Sequence, residues 1–251
     1  MGLKIISGNI FTSKCLTIVN TVNCVGVMGA GIALECRLRY PEMYKKYVEL
    51  CENRKLSIGM LWLYKADDRW ILNFPTKKHW KYPSKTEYIH SGLRKFVDTY
   101  ESRAITSIAF PLLGTDKGGI DQDESLGVMK SYLSPLAIDI EIYRYDHNAK
   151  DDLYNKVRDW LFCQDVEKIS RATRLRKDQV RKVMDAMERA DIVQLNQLGS
   201  VKGIGIKTLE KLYATAQQAA KPIECNTQQP VQLNLNIVEQ DAPADAKKPH
   251  R

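Results

Sequence analysis

Long apolar runs are absent from this sequence. No stretch approaches the ~20 consecutive apolar residues that cross a bilayer, and the apolar part of the N-terminal M-G-L-K-I-I-S-G is too short for a signal peptide. We therefore expect a cytoplasmic protein without a membrane attachment. The 251 residues, 44% hydrophobic and 27% charged, have the composition of a globular protein with one typical domain and a smaller one.

Paired cysteines are absent as well. The six cysteines are scattered and no C-x-x-C pair occurs, which argues against a zinc ribbon and against a disulfide scaffold. The thiols are those of a reducing compartment, where cysteine serves as a small apolar residue. No cluster of metal-binding residues is evident in the sequence, so we expect neither a metal nor a cofactor.

Negative charge is in deficit. The chain has 38 Lys and Arg against 30 Asp and Glu, a net charge of +8. Residues 1–150 hold 21 basic and 16 acidic side chains, and residues 151–222 hold 14 and 10. This excess, shared by both parts, favours a polyanionic partner or substrate without proving one.

The standard nucleotide fingerprints G-x-x-x-x-G-K-[ST] and G-x-G-x-x-G are also missing. Instead, the apolar run 16–19 leads into N-T-V-N-C-V-G-V-M-G-A-G-I at residues 20–32, and a helical pattern follows. A strand, a Gly-rich turn and a helix start form a phosphate cradle, because free N–H groups and the helix dipole favour an anion. The alternative is a glycine turn that only closes a strand onto a helix.

A second Gly-rich loop has the same context. The predicted strand 105–111 runs into L-L-G-T-D-K-G-G-I-D at residues 112–121, and a helix follows. Two such loops at the ends of parallel strands suit the two phosphates of a pyrophosphate. Strands alternate with helices up to residue 143, so we predict an α/β domain with a largely parallel sheet.

Cations and aromatic rings alternate in P-T-K-K-H-W-K-Y-P-S-K at residues 75–85. A solvated basic loop is one interpretation. The other is a set of phosphate contacts beside rings that stack on an exposed base, with Lys78, His79, Trp80 and Lys81 as the contacts. A helix is predicted over Thr86–Glu101, with Ser84 as its cap and Glu87 three residues later.

The first loop, the second loop and the T-K-K segment together resemble a macrodomain, the ADP-ribose-binding fold, over residues 1–148. Within that family the chain is most similar to the DNA ADP-ribosyl glycohydrolase branch, which contains the DarG-like bacterial antitoxins and the terminal ADP-ribose glycohydrolase of animals. The resemblance implies a three-layer fold with a mixed, largely parallel central sheet. Because no metal cluster is evident in the sequence, we predict that the hydrolysis is independent of metal.

The resemblance implies a set of ligand contacts. Asn9 stands where the family usually has an acid that receives the adenine amino group, and its carbonyl oxygen can accept that bond more weakly. Asn20 and Asn23 are candidates for orienting the distal ribose. The full predicted set is Asn9, Ile10, Asn20, Gly26, Val27, Met28, Gly29, Ala30, Gly31, Ile32, Thr76, Leu113, Gly114, Thr115, Asp116, Lys117, Gly118 and Gly119.

The resemblance makes Lys77 the catalytic lysine, the first of T-K-K. A lysine amine of lowered pKa can attack an opened ribose as a Schiff base, and a neighbouring cation can lower that pKa. We therefore predict that Lys77 is the nucleophile or a cation that positions the ribose, and the alternative is that it only contacts phosphate. The animal relative has an Asp where this chain has Gly118, so Asp116 and Asp121 on either side are the candidate acids or bases. Asn23 is included in the predicted catalytic set with them. The bacterial DNA-specific enzymes also have glycines there, which favours a DNA substrate.

Residues 149–222 have a helical pattern. Residues 166–184 are predicted as a helix-turn-helix, and residues 195–212 resemble a helix-hairpin-helix with a G-I-G turn. Such a hairpin presents backbone N–H groups to a DNA phosphate, here with Lys202, Gly203, Gly205 and Lys207. A Gly turn between two packed helices is the alternative. Residues 223–251, rich in Gln, Asn, Pro and Ala, are predicted to be disordered.

The resulting hypothesis is an ADP-ribosyl glycohydrolase that removes ADP-ribose from DNA bases and so reverses a DarT-like toxin. ADP-ribosylated DNA is the expected partner, with a cognate toxin as a second one. Two alternatives stay open, a non-catalytic ADP-ribose reader tethered to DNA and an ADP-ribose 1″-phosphate phosphatase.

Overall fold

Six strands form one mixed sheet in the computed structural model, which describes residues 2–220. The strands are β1 (Gly2–Gly8), β2 (Thr17–Asn23), β3 (Trp62–Lys65), β4 (Trp70–Lys77), β5 (Ser107–Pro111) and β6 (Asp139–Tyr145). Their order is β1-β6-β5-β2-β4-β3, and every pair is parallel except β3 and β4. The prediction of a mixed, largely parallel sheet is confirmed.

Helices connect the strands and continue beyond β6. Within residues 2–220 they are α1 (Gly31–Arg39), α2 (Pro41–Glu52), α3 (Thr86–Thr99), α4 (Gln122–Leu133), α5 (Tyr154–Phe162), α6 (Val166–Thr173), α7 (Lys177–Met187) and α8 (Ile206–Ala220). Short 3₁₀ segments occupy Ile10–Thr12, Asp116–Gly118 and Leu195–Ser200. No helix in this described part of the chain is both long enough and apolar enough to span a bilayer.

Apolar side chains cover both faces of the sheet. Adjacent residues of a strand point to opposite faces, so Ile18 packs with Met43 and Tyr47 of α2, whereas Val19 belongs to the cluster of Leu93 on α3. All five side chains are fully buried, and each such burial stabilises the fold by about 1.5–3 kcal/mol. The sheet therefore lies between two helical layers, as predicted.

The predicted helix α3 begins where expected but has a different cap. Its N-cap is Lys85, which makes no side-chain capping bond. The prediction that Ser84 caps this helix was wrong, because the Ser84 backbone N–H donates to the carbonyl of Gly118, at 2.9 Å. This bond draws Ser84 toward the second Gly-rich loop and away from the helix axis.

Helices α5 to α8 enclose a third apolar core, which includes Leu38 of α1. Helices α6 and α7 form the predicted helix-turn-helix, with Arg174 between them at φ 54°. The first arm of the predicted helix-hairpin-helix is the 3₁₀ segment Leu195–Ser200 and not an α-helix. The predicted boundary after residue 148 falls between β6 and α5, and the predicted tail, residues 223–251, lies outside the described residues.

A buried ion network joins α1 to the helical region. The Arg39 guanidinium lies 2.7 Å from Glu35 Oε1 and 2.6 Å from Asp152 Oδ1. Burial favours a higher pKa for Asp152, but the hydrogen bond and charge of Arg39 outweigh it and hold that pKa below its usual range. The neighbouring Asp151 accepts the backbone N–H of Leu195 at 2.6 Å. The network therefore holds Leu195–Ser200 close to α1.

Arg39→Ala should lower the free energy of unfolding by about 3–5 kcal/mol, because the buried carboxylate of Glu35 loses its counterion. The matched control is Lys45→Ala on α2, whose ion pair with Glu42 is exposed, at 67% and 66% for the two side chains. A surface pair of that kind contributes about 0–1 kcal/mol. Urea unfolding of the two variants measures the difference, and equal losses would show that the network does not stabilise the fold.

Candidate functional site

A cleft of about 610 Å³ opens at the edge of the sheet where the parallel strands have their carboxyl ends. Ligands of open α/β sheets bind outside these ends. Both Gly-rich loops border the cleft. The predicted residues that line it are Asn9, Ile10, Asn23, Val27, Gly29, Ala30, Gly31, Ile32, Thr76, Lys77, Trp80, Gly114, Thr115, Asp116, Lys117 and Gly118.

Other predicted residues do not line the cleft. From the ligand and catalytic set these are Asn20, Gly26, Met28, Leu113, Gly119 and Asp121, and from the DNA set Lys78, His79, Lys81, Lys202, Gly203, Gly205 and Lys207. Met28 and Leu113 are fully buried among apolar side chains. Their side chains anchor the two loops to the apolar cores on the two faces of the sheet.

The side chain of Asn20 is fully buried beneath the first loop. Its Nδ2 donates to Asn73 Oδ1 at 2.9 Å and approaches Met28 Sδ at 3.9 Å. The Oδ1 of Asn20 is buried and accepts no hydrogen bond from the described residues. Asn20 therefore braces β2 against β4, and the structure does not bring it to a ribose site.

Asn23 shapes the first loop from the end of β2. Its Oδ1 accepts the N–H groups of Val25 at 3.0 Å and Val27 at 3.3 Å. The Tyr47 hydroxyl donates to the same oxygen at 3.1 Å. The loop then turns at Gly26, whose φ of 80° favours glycine. Asn23 lines the cleft, but its contacts are those of a loop-positioning residue.

The second loop turns back on itself around the 3₁₀ segment Asp116–Gly118. A Cβ added at Gly118 would lie 2.6 Å from Ser84 Oγ, so any larger residue there would require Ser84 to move. A Cβ added at Gly31 would lie 3.8 Å from Asp116 Oδ2. The carboxylate of Asp116 therefore lies next to Gly31, the first residue of α1, where the first loop ends.

Asp121 has a structural role instead. It is the N-cap of α4, and its Oδ1 accepts the N–H groups of Asp123 at 2.9 Å and Glu124 at 3.0 Å. These backbone donors hold the pKa of Asp121 below its usual range. Of the two predicted acid or base candidates, the structure brings Asp116 to the cleft and keeps Asp121 away.

Lys77 ends β4 at the cleft, and its amine donates to the carbonyl oxygen of Lys117. Partial burial lowers the Lys77 pKa, the charge of Lys117 lowers it further, and the charge of Asp116 opposes both. A lowered pKa gives a lysine a larger fraction of neutral, nucleophilic amine. A nucleophilic lysine requires this property, and the catalytic role of Lys77 stays a prediction.

Three rings form an exposed platform beside Lys77. The His79 ring stacks on Trp80 with centroids 5.7 Å apart and lies 5.5 Å from that of Tyr82. Trp80 is 49% and Tyr82 65% exposed, and the Lys81 amine lies 5.2 Å from the Trp80 ring. Trp80 also lines the cleft, so the platform continues its rim.

Several cleft residues were not predicted. Those with polar or aromatic side chains include Phe11, Glu35, Ser84, Gln122, Tyr143, Tyr145, His147 and Asn196. Tyr145 could have been predicted from the sequence, because it ends β6 and the ends of parallel strands were the basis for predicting both Gly-rich loops. Asn196 had no sequence signal, because tertiary packing brings it to the cleft. In the described residues no group of three His, Cys, Asp or Glu side chains is placed to hold a metal.

A family model described as Macro domain matches residues 19–129. The solved macrodomain of Thermus aquaticus DarG has 37% identity and a TM-score of 0.54, covering 57% of this chain and 97% of that one. The chain belongs to the macrodomain family. A Mycobacterium tuberculosis DarG macrodomain is similar too, with 38% identity, a TM-score of 0.52, and coverage of 56% and 96%.

Curated relatives of this macrodomain are longer proteins. The DNA ADP-ribosyl glycohydrolase of T. aquaticus is 37% identical over 153 residues, which are 59% of this chain and 42% of that protein. The solved Thermosipho africanus DarTG in complex with ADP-ribose is 34% identical, with a TM-score of 0.55 and coverage of 58% and 42%. The chain thus spans about two fifths of the length of these relatives.

We expect the Lys77 amine to acylate at a lower pH than the amine of an unstructured lysine peptide, because burial and Lys117 destabilise its cation. Lys117→Gln should raise the Lys77 pKa, and Asp116→Asn should lower it further. Mass spectrometry measures the rate of Lys77 acylation as a function of pH in the parent, in Lys117→Gln and in Asp116→Asn. A Lys77 profile equal to that of the peptide, unmoved by either substitution, would contradict this account.

Proposed function

We propose that the chain is a cytoplasmic ADP-ribosyl glycohydrolase that removes ADP-ribose from the bases of DNA. The observation that carries this proposal is the amine of Lys77, of lowered pKa, at the end of a cleft built from two Gly-rich loops. The curated relatives named as DNA ADP-ribosyl glycohydrolases support the same activity. The described cysteines are free, which suits a reducing compartment.

In the proposed reaction Lys77 is the nucleophile. Its Nζ forms a bond to the anomeric carbon of the distal ribose, while the bond from that carbon to the base nitrogen breaks. The electron pair leaves with the base nitrogen, which takes up a proton. The Nζ gives up a proton and the ring oxygen takes one up as its bond to the anomeric carbon breaks, so that the adduct opens to an imine. Water then adds to the same carbon and the amine leaves, so that ADP-ribose is released and Lys77 is free again.

The proposed second group is Asp116. Its carboxylate lies next to Gly31 at the end of the first loop and raises the pKa of Lys77 against the effect of burial. This position suits a proton carrier between the lysine, the leaving base and water. The backbone N–H groups of the two loops hold the pyrophosphate.

We assign the aromatic platform to the DNA. Trp80 and Tyr82 are exposed at the rim, so a base beside the modified one can stack on them. Lys78 and Lys81, which are exposed in the same segment, are the proposed phosphate contacts. Stacking on such a ring contributes about 1–3 kcal/mol per base. The platform therefore favours an unpaired strand as substrate.

A DNA-modifying ADP-ribosyltransferase is the proposed partner in the reaction cycle, since it would make the substrate. A T. africanus relative, 34% identical over 161 residues, is named as a fusion of a DNA ADP-ribosyl transferase with a DNA ADP-ribosyl glycohydrolase. The two activities thus occur in one chain in that organism. We propose that this chain reverses the product of such an enzyme.

The central test compares Lys77→Ala with Lys77→Arg on single-stranded DNA that carries ADP-ribose on a base. Both should lower the release of ADP-ribose by on the order of 10³-fold or more, because arginine keeps the cation but cannot supply a neutral amine. Lys78→Ala is the matched control and should keep turnover at saturating DNA. Full activity in Lys77→Arg would show that this residue only contacts phosphate. If the parent released no ADP-ribose, the chain would be a non-catalytic reader.

The hairpin between Leu195–Ser200 and α8 is the proposed second DNA contact. Gly203 is exposed at φ +89°, and a Cβ there would lie 2.5 Å from Lys182 Nζ. Lys182 of α7 thus joins Lys202 and Lys207 near the turn. This cluster supports contacts to the DNA backbone without reading of sequence.

Lys202→Ala and Lys207→Ala should each reduce the slope of log affinity against log salt by about 0.7–0.9, because each neutralises one phosphate less. Fluorescence anisotropy with unmodified DNA at several salt concentrations measures the slope. Asp185→Ala is a control that removes a charge from α7 without removing a cation. If both variants had the same slope as the parent, the hairpin would not contact DNA phosphates.

A further inference from the structure

Helix α1 connects the cleft to the helical region. It begins at Gly31, which lines the cleft where the first loop ends. Its Cys36 is buried in one cluster with Ile18 of the sheet, whereas its Leu38 is buried in the core of helices α5 to α8. A surface that starts at the first loop can therefore continue over α1 to the helical region.

Arg37 lies in the middle of that surface and contacts both sides. Its Cζ lies over the ring of Tyr44 on α2, 4.5 Å from the ring centroid. Its Nη2 lies 2.7 Å from Glu210 Oε1 on α8. The side chains of this ion pair are 25% and 44% exposed. Arg37 therefore forms a bridge between α2 and α8 that solvent can reach.

The first loop extends this surface from Tyr44 to the aromatic platform. The Tyr44 hydroxyl lies 3.5 Å from the carbonyl oxygen of Gly26. The backbone N–H of Cys24 donates to the carbonyl of Lys78 at 3.3 Å, and Lys78 is two residues before Trp80 of the platform. The loop thus lies between the platform and the bridge that Arg37 forms.

On the other side, α8 leads from the bridge to the hairpin. Lys207, Glu210 and Lys211 are neighbours on one side of this helix, because their spacing is three and four residues from Lys207. All three are exposed. The Lys211 amine donates to the carbonyl of Arg174 at 2.6 Å, so the turn between α6 and α7 adjoins the same surface. The bridge is therefore continuous with the cations of the hairpin.

We infer that one unpaired DNA strand binds across this surface, from the aromatic platform over the first loop and Arg37 to the hairpin. The charged side chains that reach the surface from α1 and α8 are Arg37, Lys207, Lys211 and the acid Glu210, so the surface attracts a polyanion. The ring of Tyr44 holds the Arg37 guanidinium in place by a cation–π contact. This inference rests on the proposed function and deepens it, because the substrate becomes a strand that continues from the modified base to the helical region.

Arg37 and Glu210 should have opposite effects on the binding of this strand. Glu210 neutralises the cation beside the strand and itself repels phosphate, so Glu210→Gln should tighten binding. Arg37→Gln removes the cation and should weaken binding. A merely structural role would give a different result, because either substitution breaks the same ion pair and both would then change the affinity in the same direction.

The test is fluorescence anisotropy of the full chain with an unmodified, unpaired strand of about 16 nucleotides, the upper end of the usual site sizes for single strands. The parent should bind one strand per chain. Arg37→Gln should weaken the affinity roughly threefold and Glu210→Gln should strengthen it roughly threefold, the effect of one charge at a protein surface. Changes of the same sign, no change in either variant, or two strands per chain would overturn the inference.

Lys130→Gln is the matched control, because Lys130 is an exposed cation of α4, which packs with Val19 on the other face of the sheet. It should bind the strand as the parent does, and urea midpoints show that each variant is folded. The strand is unmodified, so this binding requires no hydrolysis. Failure of the parent to release ADP-ribose from modified DNA would refute the proposed function. Release by the parent, with unchanged strand affinity in Arg37→Gln and Glu210→Gln, would refute this inference alone.

Discussion

The carboxyl ends of five parallel strands meet at one edge of the sheet, and every functional feature depends on this constraint. A parallel strand delivers its following loop to that edge, so β2, β4 and β5 place the first loop, Lys77 and the second loop side by side. Strands β1 and β6 bring Asn9 and Tyr145 to the opposite end. The position of the cleft is thus determined by the order and direction of the strands.

The ion network of Arg39 extends this cleft into the helical region. The guanidinium holds Glu35 on one side and Asp152 on the other, and Glu35 in turn holds Asn196. Burying charges in this way is costly unless every partner is present. The network therefore makes the position of Leu195–Ser200 depend on α1, which itself begins at the first Gly-rich loop. These contacts connect the helical region to the wall of the cleft.

Local pattern was enough to predict most of the fold. Apolar runs, glycines and helical spacing identified the strands and both loops, because these signals arise from neighbours in the chain. The role of Asp121 was not predictable in this way, since an Asp before a helix suits a cap and a catalytic acid equally. Asn20 depends on Asn73, 53 residues away, and Asn196 on Glu35, 161 residues away. Such pairings are decided by tertiary packing, which no local pattern contains.

The central claim is that Lys77 forms a covalent adduct with the distal ribose. Reduction by cyanoborohydride during turnover of ADP-ribosylated single-stranded DNA would trap an imine at this residue. We predict that mass spectrometry finds ADP-ribose attached to the peptide that contains Lys77, and that Lys77→Arg shows no attachment. Continued release of ADP-ribose with no trapped adduct on any lysine would contradict the account and assign the attack on the ribose to water.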